Sequence, residues 1–166
     1  MGIGQTCDAE SQASSRYSDV DDDGTVASAM QVQRSAMQNR DTVALGGVHK
    51  TGNDINLLPQ PEVVIRHMND YAGSVTINNR TRIVGFTSPK GNLAAFWHLD
   101  SGTFAGYHQF ADVCGLTISA DQKHFVLSNS FGALRLLDAA SLEENRAARK
   151  TFTNTHWDNH MITVTL

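Results

Sequence analysis

An all-β fold assembled from a repeated unit of short strands is what this sequence predicts, and three observations predict it. Two stretches fall into register when shifted by 41 residues: Thr76-Ile77 meets Thr117-Ile118, Gly91 meets Gly132 and Leu93 meets Leu134. Short runs of β-branched and apolar residues are separated by turn signals such as Asp23-Gly24, Asn78-Asn79 and Ser101-Gly102. Hydrophobic residues make up 40% of the chain and charged residues 18%, a globular balance. A period of about 40–45 residues built from short strands is the signature of β-propeller blades. The expected architecture is therefore a partial β-propeller of about three to four WD40-like blades, with one or two short inserted helices.

The elements follow in order. Residues 1–16 are small and polar and read as a poorly ordered segment, so the propeller domain is placed at 17–166. Asp23-Gly24 suits a tight hairpin because glycine takes positive φ without steric cost, and it feeds a strand over 25–30. A second strand is expected over 41–49. Pro61 then opens a short helix over 62–71, whose Val64, Met68 and Tyr71 share one face. Strands follow at 74–77, 82–87 and 93–99, and again at 115–119, 124–128 and 134–138. Ser141 and Glu144 fit a capping box, which predicts a surface helix of about three turns over 141–150. Ile162, Val164 and Leu166 alternate, which predicts a terminal strand over 160–166.

Charge and composition exclude several classes. The net charge of −4 carries no basic stripe, so nucleic acid is not an expected partner. No run of 18 apolar residues is present, so no transmembrane helix is expected. Cys7 and Cys114 are too few to imply a disulfide framework, and Cys114 reads as a small core residue.

From Tyr71 onward the sequence resembles a known family. Tyr71-Ala72-Gly73-Ser74-Val75, Thr87-Ser88-Pro89-Lys90-Gly91, Ala95-Phe96-Trp97, Asp112-Val113-Cys114-Gly115 and Trp157-Asp158-Asn159-His160 carry that resemblance, together with Asp23–Ala27, Met30-Gln31 and the segment 61–71. The family is the C-terminal half of the exported bacterial propellers called domain of unknown function 1513. The resemblance covers about residues 17–166. It implies a seven-bladed, WD40-like ring, Tat export to the periplasm, and gene neighbours encoding imelysin-like and cytochrome-peroxidase-like proteins tied to iron uptake. It implies no established activity. Relative to that pattern the N-terminal half and the export signal are missing, so a chain expressed as given is expected to stay in the cytoplasm.

Several constellations carry candidate chemistry. In an extended strand His156, Asp158 and His160 would share a face and offer two imidazoles and a carboxylate to zinc or iron. The structural reading has Trp157 packing while its neighbours hydrogen-bond turn backbone. Asp19-Val20-Asp21-Asp22-Asp23-Gly24 matches the first half of an EF-hand loop, but the bidentate glutamate of position 12 is Met30, which favours a plain acidic turn. Ser74 and Ser88 lack a nucleophile-elbow pattern. Asn79-Arg80-Thr81 is a formal glycosylation sequon that reads as a hairpin tip.

The function expected from these features is a protein- or ligand-binding scaffold of the cell envelope, with a role in iron acquisition. The alternative is a metal- or haem-dependent periplasmic enzyme or metallochaperone using His156, Asp158 and His160. No cofactor and no catalytic residue is singled out by the sequence. The expected partners are another protein chain that completes the propeller, an envelope iron-uptake protein, or a second copy, since the terminal strand would lack a neighbour.

Overall fold

The computed structural model describes residues 7–8, 11–33, 42–159 and 161–164. Their strands form three antiparallel sheets taken in chain order. Sheet I holds β1 (Cys7–Asp8), β2 (Ser11–Val20), β3 (Val26–Gln33), β4 (Gly46–His49) and β5 (Asn56–Leu57). Sheet II holds β6 (Ser74–Asn78), β7 (Ile83–Ser88), β8 (Leu93–His98) and β9 (Phe104–Gln109). Sheet III holds β10 (Val113–Ile118), β11 (His124–Asn129), β12 (Ala133–Asp138) and β13 (Lys150–Thr151). Each sheet is a meander in which every strand pairs with the next, so all connections are local hairpins. β2 starts at Ser11, ahead of the boundary expected after residue 16.

The middle sheet is buried on both faces, which is why its strands read as unbroken apolar runs. Successive side chains of a strand point to opposite faces, and β7 and β8 use both. Val84, Phe86, Leu93, Ala95 and Trp97 enter a core shared with sheet I, whereas Ile83, Ala94 and Phe96 enter one shared with sheet III. Phe86 meets Trp97 edge-on with ring centroids 5.6 Å apart, and Phe96 tilts against Phe125 at 4.9 Å. A short helix, α1 (Glu62–His67), closes the first core with Val64 and Ile65, and Met68 at its C-cap is also buried. The expected helix over 62–71 therefore exists but stops early, because Asn69 and Asp70 take left-handed backbone conformations (φ 54° and 58°).

The 41-residue echo proves to be real in β6–β7 and β10–β11 and to slip beyond them. Thr87 pairs with Ala94 and Ser128 pairs with Leu134, so the offset between β8 and β12 is one residue shorter. The turn between β7 and β8 spans residues 89–92, and that between β11 and β12 spans 130–132. A one-residue slip reverses the face on which a side chain lies. Leu93 is accordingly buried at 2% exposure, whereas Leu134 is half-buried on the other side of its sheet. The two glycines of the echo also serve different ends. A Cβ on Gly91 would stand 2.4 Å from the His67 carbonyl oxygen, whereas Gly132 combines a φ of +80° with a 2.2 Å approach to the Phe152 carbonyl oxygen.

The capping-box helix over 141–150 does not form. Asp138 Oδ1 accepts the backbone N–H groups of Ala140 and Ser141, making a turn instead. Leu142 then adopts φ 60°, which ends any right-handed helix there. Glu144 does not reach back to cap Ser141. Its side chain, 8% exposed, takes Arg149 at 2.5 and 2.6 Å and Arg135 at 3.2 Å, with His108 at 3.9 Å. Only a 3-10 turn remains, over Arg146–Ala148.

Polar side chains also join sheets I and II. Arg82 takes Asp21 at 2.5 Å and Asp100 at 2.6 Å, and Asp21 has no exposed side-chain surface. The other Asp21 oxygen accepts the N–H groups of Asp23 and Thr25. Asp23 takes the Lys50 ammonium at 2.9 Å and the Thr25 hydroxyl, and these bonds, led by that of Thr25, hold its carboxyl far below the usual range. The acidic run 19–23 is thus a neutralised hairpin turn between β2 and β3 and not an EF-hand loop.

Candidate functional site

The first strands of sheets II and III and the long second strand of sheet I converge. β6 is packed by β2 on one side and by β10 on the other. None of the three faces completes a ladder with the next, because each belongs to a different sheet. The space between them is a cleft of about 530 Å³. Its walls include Ser18 and Asp19 from β2, Ser74 and Thr76 from β6, and Thr117 from β10. Thr76-Ile77 and Thr117-Ile118, the repeated pair that opened the sequence reading, both line it. The echo therefore marks equivalent inner strands, each delivering a threonine hydroxyl to one space.

Asp19 ties β2 to β6 without a strand ladder. Its Oδ2 accepts the Ile77 N–H at 2.7 Å and lies 3.3 Å from the Thr76 hydroxyl, while Oδ1 accepts the Val20 N–H at 2.9 Å. A carboxylate that receives these donors is committed to holding two sheets together. Asn79 Oδ1 likewise accepts the Asp22 N–H at 3.1 Å.

The segment after β13 lies across one side of the cleft. Asn159, Met161, Ile162 and Thr163 contribute to its walls. Side chains dock this segment instead of a ladder. Ser74 Oγ donates to the Asn159 carbonyl, Cys114 Sγ to the Trp157 carbonyl at 3.4 Å, and Thr163 Oγ1 to the Ile118 carbonyl. Since the Thr163 proton is spent on that carbonyl, the Thr117 hydroxyl, 3.1 Å away, donates to Thr163. The expected terminal strand is consequently absent over 161–164. Ile162 and Val164, expected to alternate into a core, are instead 84% and 73% exposed. With Val20, 57% exposed, Ile162 gives the cleft an apolar rim.

The candidate metal ligands occupy this same segment. Residues 152–159 contain no strand, so the alternation that would align His156 with Asp158 does not operate. His156 Nδ1 stands 2.7 Å from the Ser130 carbonyl, which can only accept, so Nδ1 carries a proton. Asp158 Oδ1 accepts the N–H of Asn159 at 2.7 Å. His160 lies outside the described residues. Among the described residues no group of three His, Cys, Asp or Glu side chains is placed to hold a metal ion.

The two serines considered as nucleophiles are otherwise engaged. Ser74 donates to Asn159 as above, and Ser88 Oγ donates to the Met68 carbonyl at 2.6 Å. A nucleophilic hydroxyl needs a base at its proton, and among the described residues neither has a histidine there. Burial pushes the Cys114 thiol up, away from the reactive thiolate.

Sequence reasoning missed the β2 wall of the cleft. Ser14, Ser15, Arg16, Tyr17, Ser18 and Asp19 show little apolar alternation, the signal by which a half-buried strand is read. β9 was missed as well, because Ala105-Gly106 interrupts its pattern and a bulge falls opposite Phe96-Trp97.

Three meandering sheets that bring β2, β6 and β10 together define an all-β protein of partial-propeller type, with its cleft where those strands meet. The chain belongs to the family described as "Protein of unknown function (DUF1513)", whose sequence model matches residues 4–164. No curated protein matches it. Among solved structures it is similar to Hsv2 of Kluyveromyces lactis, at 11% identity and a TM-score of 0.44, covering 82% of this chain and 48% of that one. Two further structures of the same yeast protein give 10% identity with TM-scores of 0.44 and 0.43. The chain thus spans about half the length of the solved structures it matches. No helix among the described residues is long and apolar enough to cross a membrane.

Proposed function

We propose that this protein is a non-catalytic binding scaffold whose recognition surface is the cleft between β2, β6 and β10. One observation carries the reading. The cleft joins a floor of small hydroxyl side chains to an apolar rim, and its one described carboxylate, Asp19, is spent on Ile77 and Thr76. A site built this way supplies hydrogen bonds and shape, while general acid–base work needs a titratable group free to move a proton. The ligand chemistry it suits is an extended, mixed polar and apolar segment such as a peptide, which would meet both hydroxyls and rim.

The family resemblance supports placing the protein in the bacterial cell envelope, exported to the periplasm and serving iron acquisition. It also supports a partner chain that completes the ring, either an iron-uptake protein or a second copy. In favour of such a partner, the face of sheet III turned away from sheet II leaves Val126, Leu134 and Leu136 half-buried.

The test is a tiled peptide array from envelope proteins, followed by NMR titration of the hits. Shifts confined to β2, β6 and β10, abolished by Ser18→Trp at the exposed mouth, support the reading. Hits that shift other surfaces or ignore Ser18→Trp overturn it.

A second reading, a metal- or haem-dependent envelope enzyme or metallochaperone, is favoured by one feature. The Nδ1–H of His156 is fixed on the Ser130 carbonyl, the arrangement that aims a free Nε2 at a metal. Elemental analysis of the purified protein separates the two. Stoichiometric iron, zinc or copper that is lost in both His156→Ala and His160→Ala supports the metal reading and sinks the scaffold.

A further inference from the structure

A second cavity, of about 390 Å³, opens between sheets II and III beyond the Asn78 end of β6. The β6–β7 turn supplies Arg80 and Thr81 to its wall, the β10–β11 turn supplies Gln122 and Lys123, and the strands beyond supply His124 and Asp138. The local backbone donors are used up. Asn78 Oδ1 accepts the N–H groups of Arg80 and Thr81, Asp121 Oδ1 accepts that of Lys123, and Asp138 Oδ1 accepts those of Ala140 and Ser141. The turns are therefore rigid without help from a ligand.

The side chains facing the cavity are not used up. The exposed Arg80 side chain has no hydrogen bond or ion pair among the described residues, although arginine presents five donors in a fixed fork. Lys123 has only Asp121, at 4.0 Å, the outer limit of an ion pair. The Thr81 hydroxyl is buried and has no partner. Buried polar groups are almost always satisfied, so one left orphaned beside two under-used cations points to a missing acceptor. Arg82, Arg135 and Arg149 take carboxylates, whereas among the described residues the Arg146 side chain, like that of Arg80, takes no partner. The site is local in another sense. A net charge of −4 repels anions from the molecule as a whole, so cations gathered at one cavity have to act by direct contact.

We infer that this cavity is a binding site for a small multivalent oxyanion, held by the Arg80 fork, the Lys123 ammonium and the Thr81 hydroxyl. Arg80 and Lys123 come from turns of different sheets, so an anion between them ties sheet II to sheet III as Arg82 ties sheet I to sheet II. Asp138 also lines the cavity, its carboxyl held below the usual range by the Ser141 and Ala140 N–H groups it accepts, so the anion has to sit on the Arg80 and Lys123 side. The chemistry is shared by phosphate and by polycarboxylates, and the experiment distinguishes them.

Backbone NMR titrations of the full chain with inorganic phosphate and with citrate, each against sodium chloride at matched ionic strength, provide the test. One or both anions are expected to give saturable shifts at Arg80, Thr81, Lys123 and His124. The Arg80→Ala/Lys123→Ala double variant, altered at exposed positions, is expected to weaken binding at least about tenfold, as losing charge-assisted contacts does. Thr81→Val, which keeps the shape and removes the hydroxyl, is expected to weaken it about threefold or more. Saturation by phosphate alone, or by citrate alone, names the ligand class. Shifts that follow ionic strength without saturating, or affinities unchanged in the double variant, overturn the site. None of Arg80, Thr81, Lys123 and His124 lines the peptide cleft, and Ser18→Trp leaves all four in place, so failure of the anion site and failure of the scaffold reading are distinguishable.

Discussion

Replacing Glu144 and Ser141 in turn separates the helix that local sequence predicts from the turn that forms. In a capping box Ser141 would contribute at least as much as Glu144: Ser→Ala at an N-cap costs about 1 kcal/mol, and a solvent-exposed Glu at the third position contributes less. In the fold, Glu144 is buried and receives Arg149 at 2.5 and 2.6 Å and Arg135 at 3.2 Å. A charge-assisted hydrogen bond is worth about 1.5–3 kcal/mol where water is excluded. The Arg149 contacts deserve the lower end or less, because that side chain is 47% exposed. Arg135 is 19% exposed and is counted more fully. Glu144→Gln, which keeps the shape and removes the charge, is therefore expected to cost about 2–3 kcal/mol. Ser141 is exposed and its hydroxyl donates only within the turn, to Asp138 at 3.1 Å, so Ser141→Ala should cost about 0.5 kcal/mol. With a urea slope of about 2 kcal/mol/M the midpoint falls by roughly 1–1.5 M for the first variant and about 0.25 M for the second. Equal shifts, or a larger one for Ser141→Ala, would refute the reasoning. The pH dependence adds a second check. The Glu144 carboxyl is held below its ordinary value of 4.5, chiefly by the Arg149 hydrogen bonds. A carboxyl lowered in the folded state stabilises above its unfolded value, and that contribution is lost as pH falls. Wild type and Glu144→Gln should thus differ at neutral pH and converge as pH drops below about 4.5.

Other perturbations follow from the same geometry. Gly91→Ala places a Cβ 2.4 Å from the His67 carbonyl oxygen and is expected to cost about 2–4 kcal/mol by chemical denaturation; a loss below about 1 kcal/mol would show that α1 can move aside. Arg82→Ala strands the buried Asp21 carboxylate, so thermal unfolding should report a loss of about 2 kcal/mol that Asp21→Asn in the same chain partly restores. If the double variant is no better than Arg82→Ala, the ion pair is not what Arg82 supplies. Ser74→Ala removes the bond to the Asn159 carbonyl, worth about 1 kcal/mol, so limited proteolysis at 159–163 should quicken about fivefold with little change in the global midpoint. An unchanged cleavage rate would show that Thr163 and Cys114 hold the segment by themselves.

Much of the architecture was legible because each strand pairs with the next one in the chain. Hairpins joined by short turns put the pairing information within a few residues, and on that basis the first three strands of sheets II and III were found within two residues, while β9 and β13 were not. The candidate site was legible only in part. Thr76 and Thr117 stood out as a repeat, but the cleft they share also needs Asp19 from a strand with no apolar signature and Thr163 from a segment with no ladder. His156, Asp158 and His160 were grouped on the assumption of an extended strand, and the chain between 152 and 159 is irregular because it is docked by Ser74 and Cys114 from two other strands and by Ser130 from the β11–β12 turn.

By itself the sequence determined the all-β character, the hairpin order and the position of the repeat, since alternation and turn chemistry act over a few residues. Tertiary structure decided the rest. It decided that Leu134 faces away from the core that holds Leu93, because one residue fewer in a turn reverses every face beyond it. It decided that Glu144 serves as a buried counter-charge and not a helix cap, because Arg135 lies on a neighbouring strand and burial strengthens the pair beyond any local hydrogen bond. The 41-residue echo shows the division most plainly. The sequence announced that a unit recurs; only packing revealed that its recurring threonines open onto one cleft.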